Sequence, residues 1–442
     1  MSDYNISSLS PVLAFDSRAN PTVSCTVQLA GGGRGTATVP SGKSTGRHEA
    51  VELRDGGEEL GGRGVDKAIK AIATDLSQLA VGAHLESLVE LEKLDTAMRS
   101  LDGSVGLQRL GANAVLAVSI AAALASAAQA RVEPYRWFGN GATPLLPMPM
   151  INIFSGGAHA MGALDVQDLL VIPVGAQTVE QALRWTWEVR HAVGDLLRGR
   201  GLNPQLVADE GGFGVSLAST EEGLGLLVDG IEAAGLQPGT QVAIAIDIAA
   251  TQLLRGEVYH LATEGRNLSS REFVDEIATW CSDFPIVSIE DPLAEDDWEG
   301  WHYATERLAH QQLLGDDLFV TSTERLTRGI TEETASAVLV KPNQCGTLSS
   351  AHEAVTTARR AGYATVLSAR SGETEDSWLS DLAVGWRTGQ IKVGSLTRSE
   401  RTAKWNRLLR ISQELGTDAQ FADRSCIVSR SSLQPQARVS IA

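Results

Sequence analysis

From about residue 140 to residue 415 the chain alternates short apolar runs with longer stretches of helical period. Five of those runs end in a polar island: VADEGG (Asp209, Glu210), IAIDIA (Asp247), VSIEDP (Glu290, Asp291), LLGDDLF (Asp316, Asp317) and LVKPNQ (Lys341). From Asp247 through Glu290, Asp316, Lys341, Arg370 and Lys392 the successive gaps are 43, 26, 25, 29 and 22 residues, close to the length of a strand-plus-helix unit. That alternation predicts an α/β barrel. A parallel barrel brings the C-terminal ends of its strands to one rim, so charges far apart in sequence are expected to meet there.

Upstream the pattern changes. PTVSCTVQLA and GRGTATVP alternate like strands around the glycines of AGGGRG, which predicts a hairpin. A polar glycine-rich loop, SGKSTGRHEAVEL, and helical periods over about 65–130 follow. We therefore expect an N-terminal α+β domain over 1–138 and a β/α barrel over 139–442, joined through the Pro- and Gly-rich PYRWFGNGATPLLPMPM. The polar tail after Gly416 is expected to be peripheral. One stretch imitates a membrane span: Gly111 to Ala130 carries no charge. It is mostly alanine, with Asn113, Ser119, Ser126 and Gln129, too weakly hydrophobic for insertion, and it reads as a closely packed buried helix.

At 442 residues the chain exceeds a single core, in keeping with two domains. A net charge of -17 argues against general nucleic-acid or membrane-surface binding but leaves room for a local positive pocket that takes a small anion. Cys25, Cys281, Cys345 and Cys426 are scattered without metal-finger spacing, as free thiols of a reducing compartment would be, and MSDYNISSLSP has no signal-peptide pattern; cytoplasmic residence is the expectation.

The converging charges suggest chemistry. Carboxylates at one rim suit a hard cation such as Mg2+, which takes oxygen ligands and leaves positions for substrate. Strand alternation lets only one acid of each IED and GDD pair face inward, and the residues alone leave the choice open. A lysine beside them could serve as base if neighbouring positive charge lowers its pKa from about 10.4; the ion, Arg370 and Lys392 are the candidates. Arg370 with Ser371 reads as an anion site. GKST at 42–45 lacks the first glycine of a phosphate-binding P-loop, Ala37 standing in its place, yet a loop of glycines, hydroxyls and a lysine can still close over an anion.

Together these segments resemble the enolase family along nearly the whole chain, from FDSRANPTV to RSERTAKWNRLLRI, through PSGKSTG, EAVELRDG, GANAVLAVS, ADEGGF, SIEDPLAEDDW, GDDLFVT, LVKPNQCG, RSGETED and GQIKVGS. The resemblance implies that Asp247, Glu290 and Asp316 hold one Mg2+ and that Ser44 helps to hold a second. It implies that Lys341 takes the proton next to the substrate carboxylate and that Glu210, with Asp168 in its network, helps the hydroxyl leave. Arg370 and Ser371 would bind phosphate, Lys392 the carboxylate, and His159 and Gln167 would complete the pocket. It further implies a small anionic substrate and a homodimer, with the DSR and RDG segments at its interface.

The departures from the family pattern cluster around that substrate: Ala369 where a histidine is usual, Lys43 on the loop, Asp168 for a longer acid, and Ala158, Met161 and Gly162 around His159. The shorter Asp168 is expected to displace a contact of the acid network. Three readings follow: a specialised relative forming carboxyphosphonoenolpyruvate in phosphonate or phosphinate metabolism, an ordinary enolase dehydrating 2-phosphoglycerate, and a non-catalytic binding protein. The retained base and metal ligands weigh against the third, and the clustered departures favour the first.

Overall fold

The computed structural model describes residues 3–43 and 46–433. It opens with a three-stranded antiparallel sheet, β1 (Ile6–Phe15), β2 (Pro21–Leu29) and β3 (Arg34–Thr38), in which β2 and β3 form the expected hairpin. Strand β1 has no clear signature in sequence, because serines and Pro11 break its alternation. Among the described strands it pairs with β2 alone, and an edge strand tolerates a proline.

Two long helices complete this unit, α1 (Leu88–Asp102) and α2 (Ala112–Ala130). Ser87 caps α1 by accepting from the Val89 amide. Helix α2 is apolar and long enough to cross a membrane, yet 83% of its apolar window is buried inside the fold, where it packs on β2 and β3. Its alanines allow very close approach: a Cβ on Gly35 of β3 would lie 2.2 Å from the Ala121 carbonyl oxygen.

Eight further strands close a barrel: β4 (Met148–Ser155), β5 (Asp168–Ile172), β6 (Ala243–Asp247), β7 (Ile286–Glu290), β8 (Gln312–Gly315), β9 (Ala337–Val340), β10 (Ala364–Ser368) and β11 (Gly389–Lys392). Helices α3 (Val179–Gly199), α4 (Thr220–Ala233), α5 (Ser270–Asp283), α6 (Trp298–Arg307), α7 (Thr323–Thr331), α8 (Leu348–Arg360), α9 (Trp378–Gly385) and α10 (Ser399–Leu415) follow or separate the strands.

The barrel is not wholly parallel, which corrects the expectation: β5 runs antiparallel to both β4 and β6. No helix lies between β4 and β5, and the chain returns directly instead of making the crossover that a parallel pair requires. Strand β5 therefore starts at the rim where its neighbours end, and Asp168, its first residue, pairs with Ser155 and Asp247, the last residues of β4 and β6.

The tail is also not peripheral as far as residue 433. Gln420–Phe421 pairs with Leu145–Leu146, and Ala422, Cys426, Ile427 and Val428 pack on the inner core with Met148, Leu170, Leu339 and Val366. Ser336 donates to the Val428 carbonyl at 2.7 Å and Gln390 to the Cys426 carbonyl at 3.0 Å. Polar side chains buried inside the barrel need such partners, and the tail supplies them.

Candidate active site

Asp247 and Glu290 end adjacent parallel strands and are paired in register, so both reach the same rim. The ammonium of Lys392, at the end of β11, lies 2.6 Å from each of their carboxylates. Asp316, just after β8, is ion-paired with Lys341, just after β9, and accepts from Gln344 at 2.8 Å. All five charged residues are buried. The fold also separates the paired acids that sequence left open. Asp291 accepts from the Asp316 amide at 3.0 Å and the Asp317 amide at 2.7 Å, while Glu290 meets Lys392.

Burial raises the Glu290 carboxyl well above the usual range, and the neighbouring Asp247 adds to that rise. Burial, then Asp316, pushes Asp317 up to about 8. Lys341 is held the other way from the expectation for a base. Burial pulls its pKa down, as do Arg370 and Lys392, but Asp316 and Glu290 overcome them and leave it above the ordinary lysine value. Lys392 behaves alike: burial opposes its charge, and Asp247 and Glu290 prevail.

Across the pocket His159 stands between two acids. Its Nδ1 is 3.0 Å from Asp168 and its Nε2 is 3.8 Å from Glu210. Asp168 also accepts from Ser155 Oγ at 2.6 Å, so the shorter acid still reaches a complete set of partners from its place behind His159. Desolvation works against a charged His159, but Asp168 and Glu210 raise its pKa on balance. Burial pushes the Glu210 carboxyl up, and His159, Arg401 and the site lysines more than offset it, leaving Glu210 below the usual range. Asn152 donates to Glu210 at 3.1 Å, and Gln167 donates to Asp247 at 3.0 Å.

The third side is cationic. Arg370 follows β10 and meets both oxygens of Glu49 at 3.0 and 3.3 Å, and Ser371 Oγ accepts from the Lys43 amide at 2.8 Å. Lys43 reaches out to Asp209 at 3.0 Å. Gly42 leaves no space beside the guanidinium, since a Cβ there would lie 1.8 Å from Arg370 Nη2. His159, Gln167, Glu210, Asp247, Lys341, Ala369, Arg370, Ser371 and Lys392 thus line one polar pocket, which their own ion-paired side chains largely fill. Ser44 lies outside the described residues.

Comparison with family models matches residues 6–138 to the N-terminal domain of enolase and residues 143–430 to the enolase C-terminal TIM barrel domain. The chain belongs to the enolase family. Enolase-family enzymes are Mg-dependent in general and act on small anionic substrates, and the carboxylates of this pocket are of the donor type such an ion takes. Asp247, Glu290 and Asp316 offer only oxygen donors, as a hard dication prefers. The rise of Glu290, caused first by burial and then by Asp247, is what added positive charge would relieve. Asp316 also belongs to a tight group with Asp291 and Asp317, and His159, Asp168 and Glu210 form another group able to hold a metal.

Sequence reasoning missed several residues of this site. Glu49 orients Arg370, Gln344 links Asp316 to Glu49, and Asn152 and Ser155 hold the two acids. Glu49 and Gln344 stand inside quoted motifs, HEAVEL and KPNQ, so their positions were signalled. Asn152 and Ser155 sit in an apolar strand with no such signal.

Proposed function

We propose that this enolase-family protein removes water from a glycerate whose 2-oxygen carries a carboxyphosphono group, giving carboxyphosphonoenolpyruvate in phosphonate or phosphinate metabolism. The observation that carries this reading is the pairing of Ala369 with Lys43 at the anion clamp. The buried Ala369 methyl lines the pocket beside Arg370, and the Lys43 amide bonds Ser371, so the turn that meets the clamp carries an ammonium, paired with Asp209 at 3.0 Å, that a second anionic group would draw inward. A phosphorus group that bears its own carboxylate needs both the space and the charge.

In this reading Lys341 Nζ takes the proton from C2. The electrons move toward the carboxylate, where Lys392 opposes the growing negative charge. The C3–O bond then breaks as the C2–C3 double bond forms, and the hydroxyl leaves as water with a proton that the charged His159 passes to Glu210, 3.8 Å away, and Glu210 to the leaving oxygen. Asp168 fixes the His159 ring, and Arg370 and Ser371 hold the phosphorus oxygens. A Mg2+ held by Asp247, Glu290 and Asp316 would polarise the substrate carboxylate and, by engaging Asp316, weaken the ion pair that keeps Lys341 protonated. Cations gathered around the pocket suit proton removal from such an anion.

The retained lysines, Arg370 and Glu210 also suit 2-phosphoglycerate, the ordinary enolase substrate, and one assay decides. Formation of enolpyruvate product is followed from each ester with Mg2+, in the wild type, Lys43→Ala and Ala369→His. The expected result is turnover of the carboxyphosphono ester, slow use of 2-phosphoglycerate, and an approximately tenfold loss of that preference in Lys43→Ala, the worth of about 1.4 kcal/mol. Rapid turnover of 2-phosphoglycerate with no product from the carboxyphosphono ester would establish the ordinary reaction instead. We also propose a homodimer: β1 is an edge strand that exposes Val12, Leu13 and Phe15, and a second copy covering that row would shield it.

A further inference from the structure

Arg401, in the first turn of α10, is fully buried, yet its forked end points at no carboxylate. Nη1 donates to the carbonyls of Arg370 at 2.7 Å and Val393 at 2.9 Å, and Nη2 donates to Ser371 at 2.6 Å and Asp209 at 3.4 Å. Among the described residues Nε has no hydrogen-bond partner, and a Glu400 carboxylate oxygen lies 3.6 Å from it. A buried charge satisfied mainly by carbonyl dipoles is costly to desolvate, so its retention asks for a reason.

The four carbonyls supply it. They belong to the two clamp residues, to the residue before Glu210 and to the residue after Lys392. These lie on three segments of the rim: 370–371 and 392–393 follow directly on the paired ends of β10 and β11, and 209–210 comes from a loop outside that ladder. The same junction is packed from the other side. Gly394, at φ +118, lets the chain pass where a Cβ would lie 2.7 Å from the Glu210 carbonyl and 3.0 Å from Arg401 Cδ, and the Ser395 amide donates to the Glu210 carbonyl at 2.8 Å. Arg401 is also one of the charges that hold the Glu210 carboxyl low.

We infer that Arg401 is a positioning residue, which locks the anion clamp of Arg370 and Ser371 to the acid loop of Glu210 so that the two engage a substrate in one fixed geometry. It touches neither substrate nor metal ligands. A planar guanidinium can address four carbonyls from fixed directions, and the compact ammonium of lysine cannot. The inference rests on the reading of Arg370 and Ser371 as an anion clamp.

The test is inorganic phosphate binding by calorimetry in the wild type and Arg401→Lys, beside the Mg2+-dependent rise in melting temperature. The carboxylates that hold Mg2+ lie outside the Arg401 contacts and serve as an internal control. Phosphate affinity is expected to fall about tenfold in Arg401→Lys while the Mg2+-dependent rise persists. Unchanged phosphate affinity, or joint loss of both signals in a folded variant, would overturn the inference. A wild type that binds no phosphate would instead sink the clamp reading, and this inference with it. Should Arg401→Lys fail to fold, Gly394→Ala crowds the same junction and is held to the same outcomes. The kinetic signature is a split: exchange of the C2 hydrogen with solvent, which needs Lys341, stays within about twofold at saturating substrate while elimination falls about 100-fold. Parallel loss of both would mark a merely structural role.

Discussion

At the scale of single residues, Lys341 shows how a side chain's chemistry depends on what surrounds it. Its place after the VLV run and its spacing from the acids were visible in sequence, but its ion pair with Asp316 was not. Lys341→Ala is expected to lower turnover by about 10³-fold, within the range for loss of a general base, while the Mg2+-dependent rise in melting temperature remains. A variant that keeps turnover would remove Lys341 from the role of base. Asp95 makes a second case, remote from the pocket. It is buried where α1 meets the barrel and accepts from the Ser349 amide at 3.0 Å, and desolvation pushes its carboxyl up to about 6. A carboxyl whose folded pKa exceeds its unfolded one binds protons on folding, so its burden on stability is absent below about pH 4 and complete above about pH 6. Stability is therefore expected to fall as pH rises through that window, by up to about 3 kcal/mol from this group. Asp95→Asn should raise the melting temperature at pH 7 more than at pH 4; an equal effect at both would refute the assignment.

At the scale of elements, helix α2 and strand β5 mark the reach and the limit of pattern reading. The uncharged alanine run of α2 implied a closely packed helix, and the fold places it against β2 and β3 with Gly35 at the closest approach. Gly35→Val would drive a side chain into the Ala121 carbonyl and the Ala125 amide, 2.2 and 2.3 Å from the new Cβ. The expected cost is about 3 kcal/mol or more, read as a lowered midpoint in urea denaturation; an unchanged midpoint would show that the helix shifts freely on its sheet. Strand β5 reads as an ordinary buried strand, and no residue in DLLVI announces its direction. Its direction follows from the missing crossover helix before it, and its reversal brings Gln167 and Asp168 to the rim.

At the scale of the whole molecule, the barrel gathers buried acids and lysines from both ends of a long sequence, and their balance is set by one another and by the ion. Mg2+ is expected to raise the melting temperature in a concentration-dependent way, by an amount that corresponds to about 2.7 kcal/mol at 100 times its dissociation constant, and EDTA to reverse it. Asp247→Asn should abolish most of that response; a full response in the variant would place the ion elsewhere. Sequence by itself determined the two-domain plan, the hairpin, the buried helix and the order of charged residues along the barrel. Those features are carried by local periodicity and by motif spacing, which each segment displays on its own. Tertiary structure alone decided which acid of each pair meets a site lysine, the reversed β5, the tail beneath the barrel, the Glu49 partner of Arg370 and the four carbonyls around Arg401. Each of these is a contact between segments distant in sequence, fixed by strand register and by the need to satisfy buried polar groups, and neither requirement is expressed in any one segment's pattern.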